Sequence, residues 1–132
     1  MIKLFFGSLQ SLVLSDHSFR NNLQLYLSPD KPSKPNDLTV PNVMKDSMVL
    51  TWQPPTHTGG SDITAYIIEK RDAKRNTWTQ VEKVTGTTNT CSVQKLLEGN
   101  EYYFRVSAEN DIGQGEPNEL EAPIKAKCPY GK

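Results

Sequence analysis

From Leu38 onward, apolar residues recur at alternate positions in short runs, and each run is closed by proline, glycine, asparagine or aspartate. That period of two places successive side chains on opposite faces of an extended strand. Leu38 and Val40 mark a first strand. Met48, Leu50 and Trp52 share one face of a second, leaving Ser47, Val49 and Thr51 on the other. Tyr66 and Ile68 lie on one face of a third, in ITAYIIEKR. A shorter strand around TWTQVEK follows, then one in NTCSVQKL, where Cys91 and Val93 share a face. EYYFRVSAEN alternates most regularly, with Tyr102, Phe104, Val106 and Ala108 on one side and Tyr103, Arg105, Ser107 and Glu109 on the other. ELEAPIKAK supplies the last strand, where Pro123 demands an edge position or a bulge. No stretch carries a 3.6-residue period. Short, half-buried strands at this spacing predict an all-β, seven-stranded antiparallel sandwich of two sheets.

The opening of the chain has a different character. MIKLFFGSLQSLVLS raises the question of a secretory signal, but Ser8, Gln10 and Ser11 interrupt the apolar run and no small-x-small cleavage site follows. It is also too short and polar to span a bilayer, which takes about 20 mostly apolar residues. Residues 1–29 are therefore read as an unassigned, poorly ordered tail. Next comes SPDKPSKPNDLTVP, where Pro29, Pro32, Pro35 and Pro41 favour a stiff, extended connector leading into an edge strand. The folded domain is expected from near residue 31 to 128, after a proline-rich lead-in from residue 30, with 129–132 starting an outgoing linker.

Composition narrows the function classes. At 132 residues there is room for one domain with a real core. Lysine plus arginine and aspartate plus glutamate number 15 each, so no overall field recruits nucleic acid or an anionic membrane. The two cysteines, Cys91 and Cys128, are too few for a disulfide framework. With no Asn-x-Ser/Thr sequon, they point towards a reducing, intracellular setting.

Candidate chemistry is sparse. His17 and His57 are the only histidines, one in the tail and one in a proline-glycine loop, too few for a zinc cluster or a histidine-based nucleophile. The GQG triplet ends a strand and opens no helix, so it makes no phosphate loop. Glu109, Asp111 and Glu116 could donate oxygens to a metal, but their spacing matches no calcium-loop pattern. The reading is a non-enzyme with no catalytic residues, no cofactor and no metal.

Several markers in order and spacing complete the picture. Trp52 in the second strand, Tyr66 in the third and LLEGNEYYFRVSAEN, with Leu96 six residues before Tyr102, resemble the signature of a fibronectin type III domain over about residues 33–128. More narrowly, LTWQPPTHTGGSDITAYIIEKRD, WTQV, LLEGNEYYFRVSAENDIGQGEP and AKCPY resemble the type III repeats of titin, twitchin and projectin, giant proteins of muscle filaments. The resemblance implies an immunoglobulin-like sandwich with a core of Leu50, Trp52, Tyr66, Ile68, Leu96, Tyr102, Phe104 and Val106. Trp52 would plug the space between the sheets, and Tyr102 would form a tyrosine corner bonded to backbone near Leu96 to Gly99.

Pro54 and Pro55 end the second strand, and Gly59 and Gly60 allow the positive φ of a crossing to the other sheet. In the implied topology that loop shares a pole with the incoming linker and with NDIGQGEPNE. The basic residues Lys70, Arg71, Lys74, Arg75 and Lys83 would sit towards the other pole, and Asp111 and Glu116 at the incoming one. Contacts between modules are accordingly expected at Pro54, Pro55, Lys70, Arg71, Lys74, Arg75, Asp111 and Glu116. The partners implied are neighbouring immunoglobulin-like and fibronectin type III domains, with myosin or other thick-filament proteins beyond them, in the cytoplasm at the sarcomeric A-band. The alternative is a module of an extracellular adhesion or receptor protein. Against it stand the missing Arg-Gly-Asp and Trp-Ser-x-Trp-Ser motifs, sequons and disulfide pattern.

Overall fold

A computed structural model describes residues 29–129 as strands, turns and irregular segments without a helix. The sequence reading of residues 1–28, and of 130–132 as part of an outgoing linker, lies outside the described residues. The strands in chain order are β1 (Asn36–Val43), β2 (Met48–Gln53), β3 (Ala65–Asp72), β4 (Thr79–Thr85), β5 (Thr90–Val93), β6 (Glu101–Glu109), β7 (Asn118–Glu119) and β8 (Ile124–Lys125).

One sheet has the order β1-β2-β5 and the other β4-β3-β6-β7, with β8 also pairing with β6. All of these pairings are antiparallel. The last expected strand is thus two short strands separated by residues 120–123, because Pro123 has no N–H to continue a ladder. Pro41 is accommodated similarly, inside a register shift between Thr39 and Asn42 on the edge strand β1. A second shift on β1 spans Asp37, whose φ is +53°.

The alternating faces meet as the two sheets close. Met48, Leu50 and Trp52 from β2, Cys91 and Val93 from β5, Tyr66 and Ile68 from β3, and Tyr102, Phe104, Val106 and Ala108 from β6 form one cluster with Leu96 and Ala126. Fully burying a large apolar side chain is worth about 1.5–3 kcal/mol. The Trp52 ring stands 5.4 Å from that of Tyr66, tilted at 58°. Trp52 Nε1 is the one buried side-chain polar atom without a hydrogen-bond partner among the described residues. β3 is buried on both faces at its start, since Ala65 and Ile67 join Tyr66 and Ile68 inside. On the outward face of β6, Ser107 is also fully buried and its Oγ accepts a bond from Gln114 Nε2 at 2.7 Å.

Tyr102 closes the corner between the sheets. Its hydroxyl oxygen accepts the Leu97 N–H at 3.0 Å, while its ring is 5% exposed. Cys91 and Cys128 are both free thiols. Burial and the neighbouring Glu82 carboxylate push the Cys91 thiol up from 9.0 to about 11, because both oppose a thiolate.

Candidate interaction surface

The ends of the sandwich are set by β6. Its first residues, Glu101 and Tyr102, pair with Lys125 and Ile124, and its last, Glu109, bridges Gln114. Eight strand steps of about 3.3 Å put roughly 26 Å between these ends.

At one pole the chain comes in. The Asp30 N–H donates to Gly59 O at 2.8 Å and the Ser33 N–H to His57 O at 2.9 Å. Gly59 and Gly60 have φ of +84° and +91°, so the crossing loop does use left-handed backbone. Asp111, Ile112 and Glu116 are exposed here, in the loop after β6. An open polar depression is lined by Thr58, Ser61, Asp62, Thr64 and Asp111. Pro54 is exposed, whereas Pro55 is buried within the chain and offers nothing to a neighbour.

At the other pole the chain leaves. Gly99 N–H donates to Ala126 O at 2.8 Å and Ala126 N–H to Asn100 O at 2.9 Å. Met44 and Leu97 are exposed here, and the Leu96 N–H donates to Asp46 O at 3.0 Å, drawing the two turns together. The turn from β3 to β4 carries Lys74 and Arg75, both exposed.

Lys70 and Arg71 have other engagements. Lys70 Nζ lies 5.8 Å from the centre of the Tyr102 ring. The Arg71 guanidinium stacks 4.3 Å over Tyr103 and 5.3 Å from Trp78, and its Nη1 donates to Arg75 O at 2.7 Å. Arg105 continues the stack, 4.3 Å over Trp78, and its Nε donates to Glu69 Oε1 at 2.7 Å. The outer face of the β4-β3-β6 sheet is therefore a ladder of alternating rings and guanidinium groups, partly shielded from water. Sequence reading missed it. Arg71 and Arg105 stood on strands near aromatic residues, but cross-strand register decides which side chains meet.

Two further features bear on chemistry. Among the described residues no three or more histidine, cysteine, aspartate or glutamate side chains gather to hold a metal ion. Glu109, whose carboxylate was weighed for that role, is paired with Lys83 Nζ at 3.0 Å, which places Lys83 near the incoming pole and not at the outgoing one expected for it, because β4 runs back along β3 from the basic turn.

A closed two-sheet sandwich, latched by a buried tyrosine and bearing its loops at two poles, defines an immunoglobulin-like β module. The family model of the fibronectin type III domain matches residues 33–123, and the chain belongs to that family. It is 44% identical over 90 residues to titin of Drosophila melanogaster, covering 68% of this chain and a share of titin that rounds to 0%. It is 40% identical over 88 residues to myosin-binding protein C, slow-type, of Homo sapiens, covering 66% of this chain and 8% of the relative. The chain thus spans a small fraction of the length of the curated relatives it matches. Among solved structures, a crystal structure of titin domains aligns with a TM-score of 0.70 and 36% identity, over 75% of this chain and 33% of that one. The twitchin kinase region of C. elegans aligns at 0.71 and 32%, over 78% and 18%. The domain shared with these proteins is a non-catalytic module.

Proposed function

We propose that this chain is a structural and protein-interaction module of a titin-like sarcomeric protein. It acts as one bead in a row of immunoglobulin-like and fibronectin type III domains that scaffolds the thick filament in the A-band, with myosin among its partners. The observation that carries this reading is the separation of entry and exit. Asp30 is tied to one end of the sandwich and Ala126 to the other, so a row of such modules extends and transmits tension along its length. The charge distribution supports end-to-end contact, since exposed Lys74 and Arg75 stand at the exit and exposed Asp111 and Glu116 at the entrance. Relatives named titin, striated-muscle M-protein and myosin-binding protein favour this setting over an extracellular adhesion protein.

Co-sedimentation with myosin filaments tests it. The 132-residue chain is expected to pellet weakly and two linked copies more strongly, through raised effective concentration. A linked pair that stays in the supernatant at every filament concentration would refute the myosin-binding part. An orientation between the linked copies that ignores ionic strength would remove the charge-matching part.

A further inference from the structure

The segment that reads as a proline-rich connector lies in a groove walled by glycines. A Cβ at Gly59 would stand 2.0 Å from Asp30 O, and one at Gly115 would stand 2.0 Å from Pro32 O. A Cβ at Gly113 would likewise reach within 3.3 Å of the Lys31 side chain. Gly115 has no positive φ, so its bareness is explained by the close approach of Pro32 and not by a turn.

Asn110 sits at the centre of this groove, 4% exposed. Its Nδ2 donates to Asp30 O at 2.7 Å and to Thr58 O at 2.8 Å. Its Oδ1 accepts the N–H of Ile112 at 2.8 Å and of Gly113 at 3.2 Å. The amide spends both donors and both acceptor positions and joins three separate pieces of chain. Farther along the segment, Ser33 Oγ accepts the His57 N–H at 3.1 Å. Pro35 is fully buried, and its carbonyl accepts Asn118 Nδ2 at 2.8 Å.

We infer that residues 29–35 are a strap seated in a backbone-binding groove of the sandwich, and that Asn110 is the clasp that holds it and positions the two loops around it. The chain's direction of approach is then fixed at Pro29 instead of at the first strand. In an array, which rests on the module reading above, the joint to whatever precedes Pro29 starts from a rigid anchor. Tension arriving from that side loads the strap before it loads the sheets.

Amide hydrogen exchange followed by NMR on the full 132-residue chain tests the strap without reference to any partner. The Asp30 and Ser33 amides are expected to exchange at least about tenfold more slowly than their unprotected rates. In Asn110→Ala the protection of Asp30 is expected to fall about tenfold, with Phe104 and Val106 of β6 unchanged. Should that variant unfold, Ser33→Ala decides, because it removes only the hydroxyl from the outer end of the strap. It is expected to speed exchange at His57, whose N–H loses its acceptor, with β6 again unchanged. Unprotected Asp30 and Ser33 amides in the wild-type chain would overturn the inference. So would a folded Asn110→Ala chain that protects Asp30 as before, or a Ser33→Ala chain that protects His57 as before.

Discussion

The hydroxyl of Tyr102 and the backbone N–H of Leu97 meet at 3.0 Å across the corner between β5 and β6. That bond lets a ring that is 5% exposed carry a polar atom into the edge of the core, and it satisfies an amide in a segment with no ladder partner. Tyr102→Phe keeps the ring and leaves the Leu97 amide without its acceptor. The expected loss is about 1–3 kcal/mol of unfolding free energy, read from the urea midpoint at unchanged m-value.

Trp52 is a second measure of the core, because it is fully buried and its Nε1 has no partner. Trp52→Ala should cost about 3–5 kcal/mol through the cavity it opens. Trp52→Phe removes no hydrogen bond, so its cost should be the smaller of the two by chemical denaturation. Equal costs would mean that ring volume is not what Trp52 supplies.

Two glycines separate conformation from space. Gly99 has φ of +90° and open space around its Cβ position, so Gly99→Ala should cost about 1–2 kcal/mol from backbone strain alone. At Gly86 a Cβ would stand 1.9 Å from Ile63 O, backbone that cannot swing aside. Gly86→Ala should therefore be the more damaging, and thermal unfolding of the two variants side by side checks the order.

Cys91 should resist alkylation in the folded state. Its thiol is pushed up to about 11, so little thiolate exists near neutral pH, and its side chain is 5% exposed. Mass spectrometry after iodoacetamide treatment should find Cys128 labelled and Cys91 labelled only in denaturant. The same shift has a sign for stability. A pKa raised in the folded state favours the neutral thiol there, so the contribution is complete below about 9 and is lost as pH rises towards 11. Cys91→Ala should flatten that alkaline decline.

Much of the sandwich was legible because burial on one face of a strand imposes a period of two that survives in the sequence. Met48, Leu50 and Trp52, or Tyr102, Phe104, Val106 and Ala108, face inward as their spacing requires. The poles were harder to read. Pro54 and Pro55 look equivalent in sequence, but one is exposed and the other buried, since loop burial depends on what packs over it. Asn110 follows a strand and precedes a turn like many exposed asparagines. Only its meeting with Asp30 and Thr58, distant in the chain, gives it a role.

The sequence by itself determined where most strands run and which residues face inward, because those follow from local alternation, while the central indole and the latching phenol were expected from the resemblance to the fibronectin type III family. The tertiary structure decided the rest. It turned a proline-rich lead-in into a strap, Gly59, Gly113 and Gly115 into the walls of a groove, and Arg71 and Arg105 into rungs between aromatic rings. Each of these depends on contacts between residues far apart in the chain, and a one-dimensional pattern records no such contact.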